Sequence, residues 1–373
     1  MNQMVIPAFT LDRQMANIGS ELTQAIGRIM ESGQFILGTS VQHFEEQMAR
    51  YTHTLGTVGV GNGSDALYLA LRAAQIGPGD EVLTTPFTFF ATAGSILRTG
   101  AKPVFTDIQV DTFNMDPEQA RTRITPRTRA VLPVHLFGLM TDVEALRRDF
   151  HGLIVEDAAQ AIGATLRGNP AGSVGDLAAF SFFPTKNLGA LGDGGMITSQ
   201  REEWVDTLRA LRVHGSRKKY HHEMLGINSR LDALQAAVLS VKLSYLQTWT
   251  QRRQQIANRY TARLRALQLE TVALPVVPSG FTHVFHQYTI RVQHRDDLQA
   301  FLKAQGVGTT VYYPVSLHLQ PVLRELGYRL GDFPVSEKAQ LEVLSLPIFP
   351  ELTDSEVDYV TDMIGQFYGK RMA

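Results

Sequence analysis

The chain has 373 residues, enough for two domains of ordinary size, and 35 Lys and Arg nearly balance 36 Asp and Glu. A net charge of −1 creates no overall field that would attract a nucleic acid or an anionic membrane surface. There is no cysteine, which excludes disulfides, thiolate nucleophiles, Cys-ligated zinc and iron–sulfur clusters. The N-terminus lacks the pattern of a secretory signal, and the longest apolar stretch, residues 130–140, is far shorter than a membrane span. We therefore predict a cytoplasmic protein that binds neither nucleic acid nor membrane.

Short β-rich runs alternate with helical patterns between Val58 and Ser199. This alternation is typical of an α/β fold, in which helices cover both faces of a mostly parallel sheet. The predicted strands cover residues 57–60, 81–85, 103–107, 130–135, 153–156 and 177–182.

The part of the chain after residue 230 begins with apolar residues at helical spacing, which predict one or two long helices. A strand over residues 288–292, a helix over 296–305 and a strand over 309–313 are predicted to follow. We therefore predict a large sheet domain over residues 1–249, including the N-terminal segment, and a smaller α/β domain over residues 250–373.

Polar residues follow three of the predicted strands, at the edge where open α/β sheets bind ligands. The first turn is Gly59-Val60-Gly61-Asn62-Gly63-Ser64-Asp65, before a helix predicted over residues 66–75. Its glycines and the free N–H groups of a helix start suit a phosphate group. A dinucleotide fingerprint would need glycine in place of Ser64, and no Walker lysine follows. An ordinary turn with Ser64 or Asp65 as the N-cap remains an alternative.

The other two turns carry ionisable residues. In Glu156-Asp157-Ala158-Ala159-Gln160 an acidic pair ends an apolar strand, where a buried carboxylate needs a cationic partner, although a helix N-cap is the alternative. Lys186 stands among aromatic residues and glycines, where desolvation can lower the pKa of its amine and favour a Schiff base with an aldehyde. A solvated loop lysine is the alternative. Together the three turns supply what pyridoxal phosphate needs: a phosphate anchor, a partner for the ring nitrogen and an amine for the aldehyde.

The chain resembles the DegT/DnrJ/StrS-type sugar aminotransferases, which are fold-type I enzymes that use pyridoxal phosphate, over nearly its whole length. The motifs that carry the resemblance are Ile6-Pro7, Ser32 to Gly38, Gly61 to Leu67, Gly79 to Val82, Thr85-Pro86 with Thr88-Phe89, Glu156 to Gln160, and Ser181-Phe182 through Lys186.

The resemblance implies a role for each matching residue. Lys186 would hold the cofactor as a Schiff base and then act as the acid and base that moves the substrate proton, while Asp157 would pair with the ring nitrogen. Phe89 would stack on the ring, and Gln160 would lie near its 3-hydroxyl group. The phosphate-side positions implied in the same way are Gly63, Ser64, Asp65 and Ser181.

Two further segments imply a second subunit and a substrate. The resemblance makes Asn228 a residue that reaches the phosphate in the neighbouring subunit's site, so a homodimer with shared active sites is implied; a turn residue that caps the next helix is the alternative. Arg230 of the same segment is predicted to bind substrate. The basic run from His214 to His222, with Tyr220, is predicted to face a nucleotide diphosphate, in preference to a solvated loop or a metal site.

In the C-terminal domain, Tyr313 and His318 match the sugar-facing residues of the family's His-Tyr-Pro-x-Pro-Leu-His element. This chain departs from that element at Tyr312, where His is frequent, and at Ser316, where Pro is frequent. A core tyrosine and a satisfied surface histidine are the alternatives.

We therefore predict an aminotransferase that uses pyridoxal phosphate and no metal, and that moves an amino group from L-glutamate to a keto group of a nucleotide-linked sugar. The Asn228-Ser229-Arg230 form resembles the branch that acts on 3-keto sugars; the 4-keto branch more often has Asn-Tyr-Arg there. The alternatives are a 4-keto-sugar enzyme and a regulatory relative that binds the cofactor without turnover. Related dehydratases carry His in place of the Schiff-base lysine, and Lys186 argues against that class.

Overall fold

The computed structural model describes residues 4–369, which form an α/β structure around a seven-stranded sheet. The helices of this range are α1 (Asp12–Ser32), α2 (Thr39–Thr52), α3 (Gly63–Ala73), α4 (Phe90–Arg98), α5 (Pro117–Arg123), α6 (Val143–Asp149), α7 (Glu202–Leu211), α8 (Ala233–Ala266), α9 (Arg295–Ala304), α10 (Pro334–Glu342) and α11 (Asp354–Phe367). Short 3-10 helices cover Leu136–Gly138, Leu317–Leu319 and Pro321–Leu326.

The strands, in chain order, are β1 (Gly56–Val60), β2 (Glu81–Thr84), β3 (Lys102–Phe105), β4 (Thr128–Val131), β5 (Leu153–Asp157), β6 (Thr165–Leu166), β7 (Asn169–Pro170), β8 (Leu177–Ser181), β9 (Gly195–Ser199), β10 (Ser216–Lys218), β11 (His221–His222), β12 (Val272–Ala273), β13 (Phe281–Thr282), β14 (Tyr288–Val292) and β15 (Val343–Leu346).

The central sheet has the strand order β1-β9-β8-β5-β4-β2-β3. All pairs from β8 to β3 are parallel, whereas β9 is antiparallel to both of its neighbours. The prediction of a mostly parallel sheet is therefore confirmed. Because β9 reverses direction between them, β1 and β8 run the same way, and β1, β8 and β5 all end at one edge of the sheet. That edge carries the three polar turns identified in the sequence.

A single helix, α8, extends from the central sheet into the C-terminal part of the chain. Its second half packs in an apolar core with β14, β15, α9 and α11, and Ile6 of the N-terminal segment lies in that same core. The small sheet there, β12-β14-β15, is antiparallel. Residue 249 lies inside α8, so the division at 249/250 remains a prediction and cuts a continuous helix.

The predicted strand over residues 309–313 is wrong, because this segment makes only an isolated pairing between Thr310 and Ser345. In a strand, successive side chains point to opposite faces. Here the neighbouring side chains of Tyr312 and Tyr313 both line one cavity, which a regular strand would prevent. Over residues 4–369, none of the helices has the length and apolar character that crossing a membrane requires.

Candidate active site

A cavity of about 690 Å³ opens at the edge of the central sheet where β1, β5 and β8 end. Its volume is in the range of small-molecule sites in proteins. Several predicted site residues from distant parts of the chain line it, namely Gly63, Ser64, Phe89, Asp157, Gln160, Ser181, Lys186 and Tyr313. The structure thus brings together all three turns that the sequence indicated.

The first wall of the cavity is the N-terminus of α3, which begins at Gly63, three residues before the predicted start. The N-cap is Asn62, whose Oδ1 accepts the Asp65 N–H at 2.8 Å, so neither Ser64 nor Asp65 is the cap. A Cβ on Gly63 would lie 2.7 Å from the Ser181 Cβ, so only glycine allows β8 to approach this closely. Because the first N–H groups of a helix have no partner within it, Gly63 and Ser64 can present theirs to a phosphate.

Asp65 is not among the described residues that line the cavity. Its N–H is bonded to the cap, and its carboxylate contacts Arg98 at 3.1 Å. The Asp65 N–H is thus already bonded within the chain, and the phosphate-side role that the resemblance implies for Asp65 stays a prediction. The sequence pattern placed the helix start too late and so missed the capping role of Asn62.

The second wall contains Asp157, which is buried at the end of β5. Its Oδ2 accepts the Thr92 hydroxyl at 2.8 Å, and its Oδ1 accepts the Ala159 N–H at 3.2 Å. Burial raises the pKa of this carboxyl, although those two hydrogen bonds and the nearby Lys186 charge oppose the rise. Residues 158–162 form turns and no helix, so the alternative in which Asp157 caps a helix does not hold.

Its neighbour Glu156 points away and is fully buried. The Glu156 carboxylate accepts the N–H groups of Gly172, Val174 and Gly175 and lies 2.7 Å from His135 Nε2. Burial alone would raise the pKa of Glu156, but these hydrogen bonds lower it below its usual value. Of the acidic pair in the sequence, one residue therefore faces the cavity and the other holds the loop before β8.

Lys186 lies in the loop between β8 and β9, on the cavity wall. A turn in which the Lys186 N–H bonds to the Phe183 carbonyl at 2.8 Å shapes this loop. Burial lowers the pKa of the Lys186 amine to about 8, and the Asp157 carboxylate only partly opposes that shift. A substantial share of the amine is therefore neutral and nucleophilic near pH 8.

The third wall is aromatic and includes Phe89 and Tyr313, with ring centroids 6.4 Å apart. Gln160 Oε1 accepts the Phe137 N–H at 2.7 Å, which fixes the orientation of the amide. Gln160 Nε2 therefore faces Tyr313 and donates to its phenol oxygen at 3.1 Å. The hydroxyl hydrogen of Tyr313 remains available for a ligand, and burial keeps its pKa above the usual value.

Besides Asp65, four predicted residues do not line the cavity within the described part of one chain: Asn228, Arg230, Tyr220 and His318. Asn228 is exposed, and Tyr220 is 86% exposed between β10 and β11. Arg230 is half-buried before α8. Asn228 does not act as the N-cap of α8, because that position belongs to Asp232.

His318, which the resemblance places beside a sugar, is not among the described residues that line the cavity, and its sugar contact stays a prediction. His318 is buried, its Nε2 lies 3.0 Å from Glu337 Oε1, and its ring packs on Phe333. Ser316 stands where the family element often has proline, and the structure uses its backbone N–H. This N–H, which proline lacks, donates to Gln340 Oε1 at 2.6 Å. This bond ties the 3-10 helix that carries His318 to α10.

The structure also adds residues that were not predicted from the sequence, namely Thr88, Thr92, His286 and Tyr312. Thr88 lies just before α4 and Thr92 in its first turn, and their hydroxyl oxygens are 3.1 Å apart. His286 lines the cavity, and its Nδ1 lies 3.2 Å from Asn187 Oδ1. No local pattern marks His286, because 100 residues separate it from Lys186.

Residues 16–365 match the DegT/DnrJ/EryC1/StrS aminotransferase family, and the chain belongs to that family. It is 52% identical to the "Pleiotropic regulatory protein" of Geobacillus stearothermophilus, over 98% of this chain and 99% of the relative. It is 43% identical to the dTDP-3-amino-3,4,6-trideoxy-alpha-D-glucose transaminase of Streptomyces venezuelae, over 97% of this chain and 96% of the relative. The crystal structure of S. venezuelae DesV in complex with a ketimine intermediate matches with a TM-score of 0.95 at 42% identity, over 99% of this chain and all of that one.

The protein is a transaminase that depends on pyridoxal phosphate. The structure of Bacillus subtilis NtdA with bound cofactor PMP has the same fold. It matches at 30% identity with a TM-score of 0.90, over 99% of this chain and 87% of that one. The cavity fits this cofactor. The start of α3 at Gly63, which has no Cβ, suits the phosphate, and the buried Asp157 carboxylate lies near the Lys186 amine, whose pKa is lowered. When bound, the cofactor supplies an electron-withdrawing ring and the carbon that carries the amino group.

The chain's own groups then have defined tasks. Gly63 and Ser64 would bind the phosphate through their N–H groups, and Asp157 would keep a proton on the ring nitrogen. Lys186 Nζ would take and return the proton that moves during transfer. Phe89, on the cavity wall, would stack on the ring, as the resemblance implies.

Proposed function

We propose that this enzyme transfers an amino group from L-glutamate to the keto carbon of a nucleotide-linked 3-keto sugar, and that it does so as a homodimer. The observation that carries the proposal is the cavity in which Lys186, Asp157 and the α3 N-terminus converge. The name of the S. venezuelae relative, a 3-amino sugar transaminase, supports position 3 of the sugar. A cytoplasmic location remains a prediction.

The regiochemistry can be tested with defined substrates. The protein reconstituted with pyridoxal phosphate is incubated with L-glutamate and with matched dTDP- and UDP-linked hexoses that carry the keto group at C3 or at C4. We expect a C3 amine, identified by mass spectrometry and NMR, and at least about tenfold lower kcat/KM for the 4-keto sugars, a difference of about 1.4 kcal/mol in transition-state binding. Equal or faster conversion of the 4-keto sugars would refute the assignment to position 3.

The surroundings of the cavity support a second subunit. Phe89 and Phe183 at the cavity are 60% and 51% exposed in a single chain, an apolar surface that a second copy would cover. Asn228 and Tyr220 are exposed outside their own chain's cavity. Both observations favour a shared site in which these two residues reach the neighbouring subunit.

Subunit mixing tests the shared site. Asn228→Ala is expected to weaken cofactor retention, because a phosphate contact from the second subunit is lost. Lys186→Ala and Asn228→Ala subunits are mixed in equal amounts and allowed to pair at random. Because each shared site takes Lys186 from one subunit and Asn228 from the other, a mixed dimer has both changes in one site and neither in the other. Because half of the dimers are mixed, about a quarter of all sites should be of wild-type form. Activity no higher than that of the separate variants would contradict the shared site.

A regulatory role in addition to catalysis is the second candidate, and the name of the Geobacillus relative is the observation that favours it. The cavity retains the lysine, the carboxylate and the helix start that turnover needs. L-Glutamate tests the proposed donor: conversion to 2-oxoglutarate with formation of pyridoxamine phosphate supports it, and the absence of both products from cofactor-loaded protein would contradict it.

A further inference from the structure

Two buried threonine hydroxyls form a series of hydrogen bonds that ends on the Asp157 carboxylate. Thr92, in the first turn of α4, lies 2.8 Å from Asp157 Oδ2, and the hydroxyl oxygens of Thr88 and Thr92 are 3.1 Å apart. Thr92 is fully buried and Thr88 nearly so. The Thr88 side of this series also borders the cavity.

The Asp157 carboxylate determines the direction of both hydrogen bonds. An ionised carboxylate only accepts hydrogen bonds, so the single hydroxyl hydrogen of Thr92 is donated to Asp157. The Thr92 oxygen can then only accept, and Thr88 must be the donor to it. Both hydroxyls are therefore held in one orientation as long as Asp157 is ionised.

We propose that Thr92 is a positioning residue that keeps Asp157 ionised and correctly turned toward the ring nitrogen of the cofactor. Asp157 Oδ1 is held by the Ala159 N–H and Oδ2 by Thr92, so the two bonds together fix the plane of the carboxylate. The bond from Thr92 is the one made by a side chain, and it joins β5 to α4. Thr88, which lies just before the start of α4, supports the same arrangement through its hydrogen bond to Thr92.

The groups that face Asp157 from the surrounding elements agree with this role. Lys186 and His135 both lower the pKa of Asp157, while burial raises it more strongly. Without the hydrogen bond from Thr92, a larger fraction of Asp157 would be protonated at a given pH. A protonated carboxyl cannot form an ion pair with a protonated ring nitrogen. Because the cofactor pairs with the ionised carboxylate, its affinity for the protein should fall as the pH falls through the pKa of Asp157. Loss of the Thr92 hydroxyl should move this decline in affinity to higher pH.

The test measures binding of pyridoxamine phosphate to the apoenzyme between pH 5.5 and 9, because this form binds without a covalent bond to Lys186. Thr92→Val keeps the shape of the side chain and removes the hydroxyl. We expect binding about tenfold weaker at pH 6, with a smaller loss at pH 8.5 and higher, as fits the loss of a hydrogen bond to a charged group. Thr92→Ser retains the hydroxyl and should bind as the wild type does.

Thr106→Val is the matched control, because the Thr106 hydroxyl is equally buried and has no hydrogen-bond partner among the described residues. It should leave both the affinity and its pH profile unchanged. An unchanged pH profile in Thr92→Val, or equal losses in Thr92→Val and Thr92→Ser, would overturn the proposal, since the second result would reveal a packing role. If Thr92→Val does not fold, Thr92→Ala and Thr92→Ser decide the question, because both lack the methyl group and only Ala lacks the hydroxyl.

Discussion

Lys186→Ala should lower amino transfer by at least the roughly 10²- to 10⁴-fold that a general acid or base contributes. The variant loses both the amine that attaches the cofactor and the group that moves the proton. Single-turnover conversion of L-glutamate measures the loss, and thermal unfolding verifies that the variant is folded. Lys186→Arg is the matched control: it retains the positive charge but cannot form a Schiff base, so it should be about as inactive as Lys186→Ala. Turnover near the wild-type rate in either variant would refute the role.

The lowered pKa of Lys186 adds a pH dependence. With a pKa of about 8, well below that of an ordinary lysine, the neutral amine gains population as the pH rises through 8. The rate at which apoenzyme incorporates pyridoxal phosphate should therefore rise through about pH 8 and then level off. A rate that keeps rising toward pH 10 would show an unperturbed amine.

Asp157→Asn should slow proton abstraction from L-glutamate by about 10²- to 10³-fold, the usual effect of removing one group that stabilises developing charge. The amide is similar in size but carries no negative charge, so it cannot hold a proton on the ring nitrogen. The isotope-sensitive rate with α-deuterated glutamate and the amount of retained cofactor measure the change. Unchanged kinetics and retention would leave Asp157 with a structural role only.

Glu156→Gln is the matched control for Asp157→Asn, because it neutralises the adjacent buried carboxylate on the opposite side of β5. Glu156 binds three backbone N–H groups and His135, all away from the cavity. The control should lower the thermal unfolding midpoint and leave cofactor retention close to that of the wild type. This pair of variants separates loss of the site from loss of stability.

Much of the large domain follows from local sequence. The strands that supply the site were predicted to within a few residues, because runs such as Leu153–Asp157 are apolar until they reach the sheet edge, where a polar residue appears. The three turns at that edge could be combined because parallel strands end on the same side. The strand β9 (Gly195–Ser199) was not among the predicted strands, and its antiparallel pairing with β8 follows a long loop that carries Lys186.

The rest of the site depends on tertiary contacts that no local pattern encodes. The placement of Tyr312 and Tyr313 on one wall requires an irregular backbone, and the prediction of a strand over residues 309–313 was therefore wrong. The burial of His318 depends on Glu337 and Phe333, and the orientation of Gln160 depends on the Phe137 N–H. Each of these contacts joins segments whose proximity is set by the packing of whole elements.

The most direct test of the central claim is the visible absorption of the purified protein before and after addition of L-glutamate, followed by borohydride reduction and peptide mapping. We predict a coloured protein whose band bleaches with L-glutamate, and a peptide that carries the mass of the reduced cofactor on Lys186 only when reduction precedes glutamate. A colourless protein that pyridoxal phosphate does not reconstitute, or a cofactor trapped on a different lysine, would contradict the account.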